Sequence, residues 1–239
     1  MPMACLMLSI TFNACKKNSN NDAPPKSVTC VLAGTTSISS GGQSTFSIQR
    51  DEKNRISCIT LFNGPKVLTQ RTFQYYGSEV VITAKNDNGI NELDSLTLNA
   101  AGDIVRLKIS RNNANRPVPD QTLSMLYDAN GQLISFTNVN TVYQCVWQNG
   151  DLTALINSLD TQRFSYADKP FSIADGQEIN RVLEYGQPLF KTAHLCSGYY
   201  DHDSIIYNYG FDSNGKVTSV TSRYNGGYSE TESIDYDCH

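Results

Sequence analysis

Along much of the chain, large apolar and polar residues alternate one for one over short stretches. Thr45-Phe46-Ser47-Ile48-Gln49, Thr72-Phe73-Gln74-Tyr75, Ile104 through Ile109, Ile205-Ile206-Tyr207-Asn208-Tyr209 and Ser233-Ile234-Asp235-Tyr236 follow this pattern. Successive side chains of an extended chain point to opposite faces, so period-two alternation rich in β-branched and aromatic residues predicts half-buried antiparallel strands. About a dozen such strands are expected, joined mostly by short turns, with sequential neighbours pairing as a meander. The predicted fold class is all-β: an antiparallel meander of repeated hairpins, curling into an open barrel-like or superhelical sheet.

The turns repeat as well. Asp128-Ala129-Asn130-Gly131-Gln132-Leu133 and Asp212-Ser213-Asn214-Gly215-Lys216-Val217 are near copies, and Asn99-Ala100-Ala101-Gly102-Asp103-Ile104 is a third. Gln148-Asn149-Gly150-Asp151-Leu152 is a shorter version, and Asp51-Glu52-Lys53-Asn54-Arg55-Ile56 has Asn in place of Gly. Asp or Asn first and Gly fourth suit a type I turn closed by a residue at positive φ. An aliphatic follows each turn (Ile56, Ile104, Leu133, Leu152, Val217), and a second large apolar residue comes three positions later (Ile59, Leu107, Phe136, Leu155, Val220). That spacing puts the two on opposite faces of a regular strand, so sheet stacking or a local bulge is implied.

One segment breaks the rhythm. After Asp168-Lys169-Pro170-Phe171, the run Asp175-Gly176-Gln177-Glu178 reads as a capping box ahead of Ile179, Val182 and Leu183, which have helical spacing. Gly186 stops this element and Pro188 prevents its return. A single short helix of about three turns is expected near residues 175–185, plugging or covering one end of the curled sheet.

These units resemble the YD (Rhs-type) repeat, carried best by Tyr127-Asp128 with Gly131 and by Phe211-Asp212 with Gly215. The layout is also similar to a family of uncharacterised bacterial lipoproteins with a porin-like β-fold, in which such repeats flank an Asp-Lys-Pro linker and a short helix. The resemblance covers roughly residues 26–238. It implies architecture and assigns no catalytic or binding residue.

The first residues read as an address. MPMACLMLSITFNA is mostly apolar with a small residue at its end, the pattern of a secretory signal, and the alternative is a first buried strand or helix. Phe12-Asn13-Ala14-Cys15 resembles a bacterial lipobox, and the run KKNSNNDAPPK after it reads as a tether. The expected organisation is a signal peptide at 1–14, a lipid-anchored tether at 15–26 with Cys15 as the acylated residue, and a YD-like β-repeat domain at 27–239. The membrane is thus an expected partner through lipid on Cys15, and the expected location is the bacterial envelope at the outer membrane. Five further cysteines (Cys30, Cys58, Cys145, Cys196, Cys238) form an odd set in strand-like contexts. They read as small buried hydrophobes, with Cys196–Cys238 as a candidate bridge.

Composition narrows the function without naming it. The 239 residues carry 19 Lys+Arg against 23 Asp+Glu, a net charge of −4, which lacks the basic excess of a nucleic-acid partner. No apolar run approaches the roughly 18 residues of a membrane-spanning helix. No nucleophile, phosphate-binding or zinc motif appears, so no catalytic residue, cofactor or metal is assigned. Asp201-His202-Asp203 and Asn86-Asp87-Asn88-Gly89 read as solvated turns more readily than as metal sites. Tyr199, Tyr200, Tyr207, Tyr209, Tyr224 and Tyr228 crowd the C-terminal third and are the candidate ligand-binding residues, suited to stacking on a glycan. The competing reading is that they cover the sheet through cross-strand pairs. The expectation is a non-catalytic binding or scaffold protein of the envelope, with glycan or envelope proteins as partners. The alternatives are a hydrolase whose carboxylates converge only in the fold, or a purely structural envelope component.

Overall fold

The computed structural model describes residues 30–39, 42–86, 91–113, 116–117, 120–200 and 204–238. The signal segment 1–14, the tether with Cys15, residues 87–89 and the Asp201-His202-Asp203 cluster lie outside the described residues. The chain forms strands β1 (Cys30–Ser39), β2 (Gly42–Arg50), β3 (Ile56–Asn63), β4 (Lys66–Tyr76), β5 (Glu79–Asn86) and β6 (Asn91–Leu98). Strands β7 (Ile104–Asn113), β8 (Arg116–Pro117), β9 (Gln121–Tyr127), β10 (Leu133–Asn138), β11 (Thr141–Gln148), β12 (Asp151–Ile156) and β13 (Thr161–Pro170) follow. After helix α1 (Ile179–Tyr185) come β14 (His194–Tyr200), β15 (Ile205–Phe211), β16 (Val217–Tyr224) and β17 (Ser229–Cys238). Each strand pairs antiparallel with the next, β7 pairs directly with β9, and β17 returns to β1, while β8 pairs only with β7. The meander therefore closes fully into a sixteen-strand barrel, where sequence patterning had left closure open and suggested fewer strands.

The repeat is a turn, a bulge and a latch. In four copies the side chain of the first residue (Asp51, Asn99, Asp128, Asp212) accepts hydrogen bonds from the backbone N–H groups two and four positions on, all at 2.9 Å or less. The fourth residue takes positive φ, as Asn54, Gly102, Gly131 or Gly215, which is why Gly or Asn is placed there. Backbone N–H donors from Gln132 and Lys216 hold the Asp128 and Asp212 carboxyls below the ordinary carboxylate range. The shorter copy is a two-residue turn with both Asn149 and Gly150 at positive φ.

After each turn the register slips by one residue. Ser57, Val105, Ile134, Thr153 and Thr218 stand without a partner, directly behind the first aliphatic. The bulge brings the aliphatics three positions apart onto the same inner face, so Ile56 and Ile59, Ile104 and Leu107, Leu152 and Leu155, and Val217 and Val220 are all buried. Where the bulge breaks the ladder, the next strand supplies a donor to the first aliphatic's carbonyl. Tyr75 donates to Ile56 at 2.9 Å, Tyr127 to Ile104 at 2.9 Å, the Trp147 indole to Leu133 at 2.8 Å, and Tyr166 to Leu152 at 2.7 Å. Tyr236 stands at the equivalent register on β17, its ring 4.4 Å from the Lys216 ammonium.

The lumen is filled from the repeat end by residues 171–193. The helix is shorter than expected, seven residues instead of about three turns, and Gly186 caps it in the left-handed conformation. Asp175 does cap the entering turn, its carboxylate accepting from Gln177 N–H at 2.9 Å and Glu178 N–H at 3.2 Å. Glu178 does not complete a capping box. It is 1% exposed, pairs with Arg181, and accepts the Leu189 and Phe190 N–H groups at 2.6 and 3.1 Å. Asp175 also accepts Cys196 N–H at 2.6 Å, tying the plug to the β14 wall. Gly176 allows that approach, because a Cβ there would lie 2.5 Å from the Tyr207 ring.

Several outer rows are polar, while Leu93, Leu126, Val142, Val146 and Ile206 are exposed apolar residues on the outer face. Gln70, Thr72 and Gln74 on β4, Arg106 and Lys108 on β7, and Thr221 and Arg223 on β16 alternate with inward apolar residues. A membrane barrel carries an apolar band outside and a polar lumen. No helix among the described residues is long and apolar enough to cross a membrane.

The seam between β1 and β17 carries a disulfide joining Cys30 to Cys238, 208 residues apart. The expected Cys196–Cys238 bridge is therefore incorrect. Cys196 points into the lumen beside the plug, whereas Cys238 lies in register with Cys30 at the repeat end. Cys58, Cys145 and Cys196 are free, and burial pushes the Cys145 thiol up to about 12.

The latches make a testable claim. Tyr127→Phe removes the hydroxyl donor to the Ile104 carbonyl and should cost about 1–2 kcal/mol in urea denaturation. Tyr76→Phe, whose hydroxyl reaches only exposed Gln74, should change stability by less than about 0.5 kcal/mol.

Candidate functional site

The plug fills the repeat-end half of the lumen and leaves a cavity of about 490 Å³ toward the opposite end. Its floor is the start of the plug, with Gln177, Asn180 and Arg181. Its walls come from β1, β2 and the β13–β17 arc. Strand alternation sends residues two apart into the same space, so β13 contributes Gln162 and Phe164, β16 contributes Ser222 and Tyr224, and β17 contributes Glu230 and Glu232.

Three of the six candidate tyrosines meet here. Tyr199, Tyr207 and Tyr224 line the cavity; Tyr199 lies 6.2 Å from Phe164 and 6.5 Å from Tyr207 in tilted contacts. Tyr228 packs against Tyr224 at 5.3 Å, on the turn between β16 and β17. Tyr200 is exposed on the outer face, since its neighbour Tyr199 takes the inner one. Tyr209 is committed to the plug. Its hydroxyl donates to the Cys196 carbonyl at 2.5 Å and accepts Gly176 N–H at 3.1 Å.

The cavity's charges are uneven. Glu230 accepts a hydrogen bond from the Ser37 hydroxyl. Glu232 beside it is pushed up to about 7, first by burial and then by the neighbouring Glu230 charge. Arg181, the one cationic side chain on the cavity among the described residues, is bonded to Glu178 and stacked 4.7 Å from the Phe190 ring. Burial also raises the Tyr207 and Tyr224 hydroxyls, with Glu230 contributing at Tyr224. This lining can stack an apolar face, hydrogen-bond hydroxyls and attract positive charge. Among the described residues no group of three His, Cys, Asp or Glu could hold a metal ion.

Sequence reasoning passed over Glu230 and Glu232. The signal was available: they share the inward phase of Ile234 and Tyr236, so the strand carries carboxylates on the face that buries.

No family model and no curated protein matches this sequence. A crystal structure of a porin-like protein from Bacteroides uniformis ATCC 8492 matches at a TM-score of 0.60 and 15% identity, over 86% of this chain and 96% of that one. At that identity the likeness establishes a shared porin-like barrel fold and nothing further. A second porin-like protein, from Bacteroides vulgatus ATCC 8482, is 14% identical over 82% of this chain and 79% of that one. Its TM-score of 0.23 is too low to support an argument.

The Glu232 shift has a sign that can be measured. Its folded-state value lies above the ordinary 4.5, so between about 4.5 and 7 the folded protein holds a proton that the unfolded chain has released. Stability falls as pH rises through that window. Glu232→Gln should stabilise the protein by about 1–3 kcal/mol above pH 7 and by little below pH 4.5, read from urea midpoints across pH.

Proposed function

We propose that this chain is a non-catalytic binding protein of the bacterial envelope that captures a small glycan unit in the cavity above its plug. One observation carries the reading. Above the plug the lumen keeps an open cavity of about 490 Å³ furnished with tyrosine rings, amides and carboxylates. Such a mix of apolar faces and a few convergent polar groups is the common make-up of a small-molecule site. The porin-like likeness of the barrel supports an envelope setting.

Glycoside hydrolysis is the second reading that the carboxylates raise. Hydrolysis needs an acid and a base on either side of the scissile bond. Glu230 and Glu232 stand side by side on one strand, and the facing wall brings Arg181, Gln177 and aromatic rings instead. This arrangement favours holding a ligand over cleaving it.

The described chain begins at Cys30 at the repeat end of the barrel, and the cavity lies toward the opposite end. Cys15→Ser should abolish palmitate labelling and release the protein from membranes; label persisting at the wild-type level would rule out the anchor.

The binding claim is tested on a glycan array with hydrolysis products read in parallel. Specific binding without turnover is expected, and Tyr199→Leu should weaken it roughly tenfold through the lost ring contact. Release of sugar by the wild-type protein would replace this reading with the hydrolase.

A further inference from the structure

We infer that the cavity selects a ligand bearing an ammonium group, an amino sugar or its oligomer, over neutral glycans. The inference deepens the capture reading and rests on it.

The charge balance of the cavity is the first ground. β17 turns Glu230 and Glu232 into the same cavity, and among the described residues no ion pair joins either of them to a cation. The one cation on the lining among the described residues, Arg181, is already matched to Glu178, which is itself buried within the plug. The cavity is thus left with uncompensated negative charge.

The second ground is that this charge works against the fold. Two carboxylates side by side in an enclosed space repel each other and lose hydration, and amides of the same shape would pack there at lower cost. Three buried carboxylates elsewhere in the lumen, Asp175, Asp151 and Asp103, are given donors. Asp175 has the N–H groups of Gln177, Glu178 and Cys196, and Asp151 has the His194 N–H and ring. Asp103 has Lys191 and Asn99. Glu232 is the contrast, placed where an incoming group can supply what the chain withholds.

The third ground is the company these carboxylates keep. Tyr199, Tyr207 and Tyr224 offer ring faces, which attract a cation as well as a sugar's apolar side. Gln162, Gln177 and Asn180 offer amides suited to hydroxyl groups. An ammonium on a polyhydroxylated ring uses all three sets together, and a neutral sugar leaves the carboxylates unmatched.

The test is calorimetric titration of the full protein near neutral pH with three probes: a glucosamine disaccharide with free amines, its N-acetylated counterpart, and a glucose disaccharide. The free-amine probe should bind at least about tenfold more tightly than the other two, a difference of roughly 1.4 kcal/mol. Glu232→Gln and Glu230→Gln should each remove most of that preference, leave affinity for the neutral probes within about twofold, and leave the variants at least as heat-stable as the parent. Equal binding of the three probes, or a preference that survives both substitutions, would overturn the inference while leaving glycan capture standing. Failure of all three to bind while the protein remains folded would overturn both.

Discussion

A ring of sixteen strands encloses more space than its own side chains can fill, and the rest of this structure answers to that width. Closure removes every sheet edge, but it leaves a lumen that water would otherwise occupy. The chain fills it by diverting residues 171–193 inward between β13 and β14. That insertion carries backbone polar groups and two carboxylates into the interior, and each finds a defined partner. Asp175 and Glu178 accept backbone N–H groups of the plug itself, and Asp175 reaches across to Cys196 on the wall. The plug occupies only part of the space. The cavity toward the far end is left open.

The same width leaves a lumen that a chain can either keep as a channel or fill. A sixteen-strand ring can carry a channel when its lumen is polar and its outside apolar. In this chain Leu32, Ile82, Leu96, Leu107 and Leu152 point inward with almost no exposure, while Thr, Gln, Arg and Lys occupy outward positions on β4 and β16. The barrel closes around an apolar core, and the β1–β17 disulfide fastens its seam.

Much of this was legible because hairpins are local. The Asx turns, the positive-φ position, the single helix and its Gly186 stop all depend on residues within a few positions of one another. The paired aliphatics even announced the bulges, since a spacing of three cannot face one side without one. What escaped the sequence depends on distant residues. Closure requires β1 to meet β17, and the Cys30–Cys238 bond follows only from that register. The aromatic latches link residues 14 to 23 positions apart, across neighbouring strands. Of the C-terminal tyrosines, strand phase separated Tyr199 from Tyr200, and contact with the plug withdrew Tyr209. Glu230 and Glu232 were hidden because charged residues on a strand are ordinarily assigned to the solvent face.

The cavity is where the chain departs from good packing. The arc facing the plug keeps open volume and crowded carboxylates on the face that elsewhere buries large aliphatic side chains. Natural chains tolerate such departures where binding needs them. The most direct measurement is a crystal structure of the protein grown with the free-amine glucosamine disaccharide. The account predicts the sugar between Tyr199, Tyr224 and β17, with an amine against Glu230 and Glu232. Sugar bound only on the outer wall or at the repeat end, with the cavity holding water alone, would contradict it.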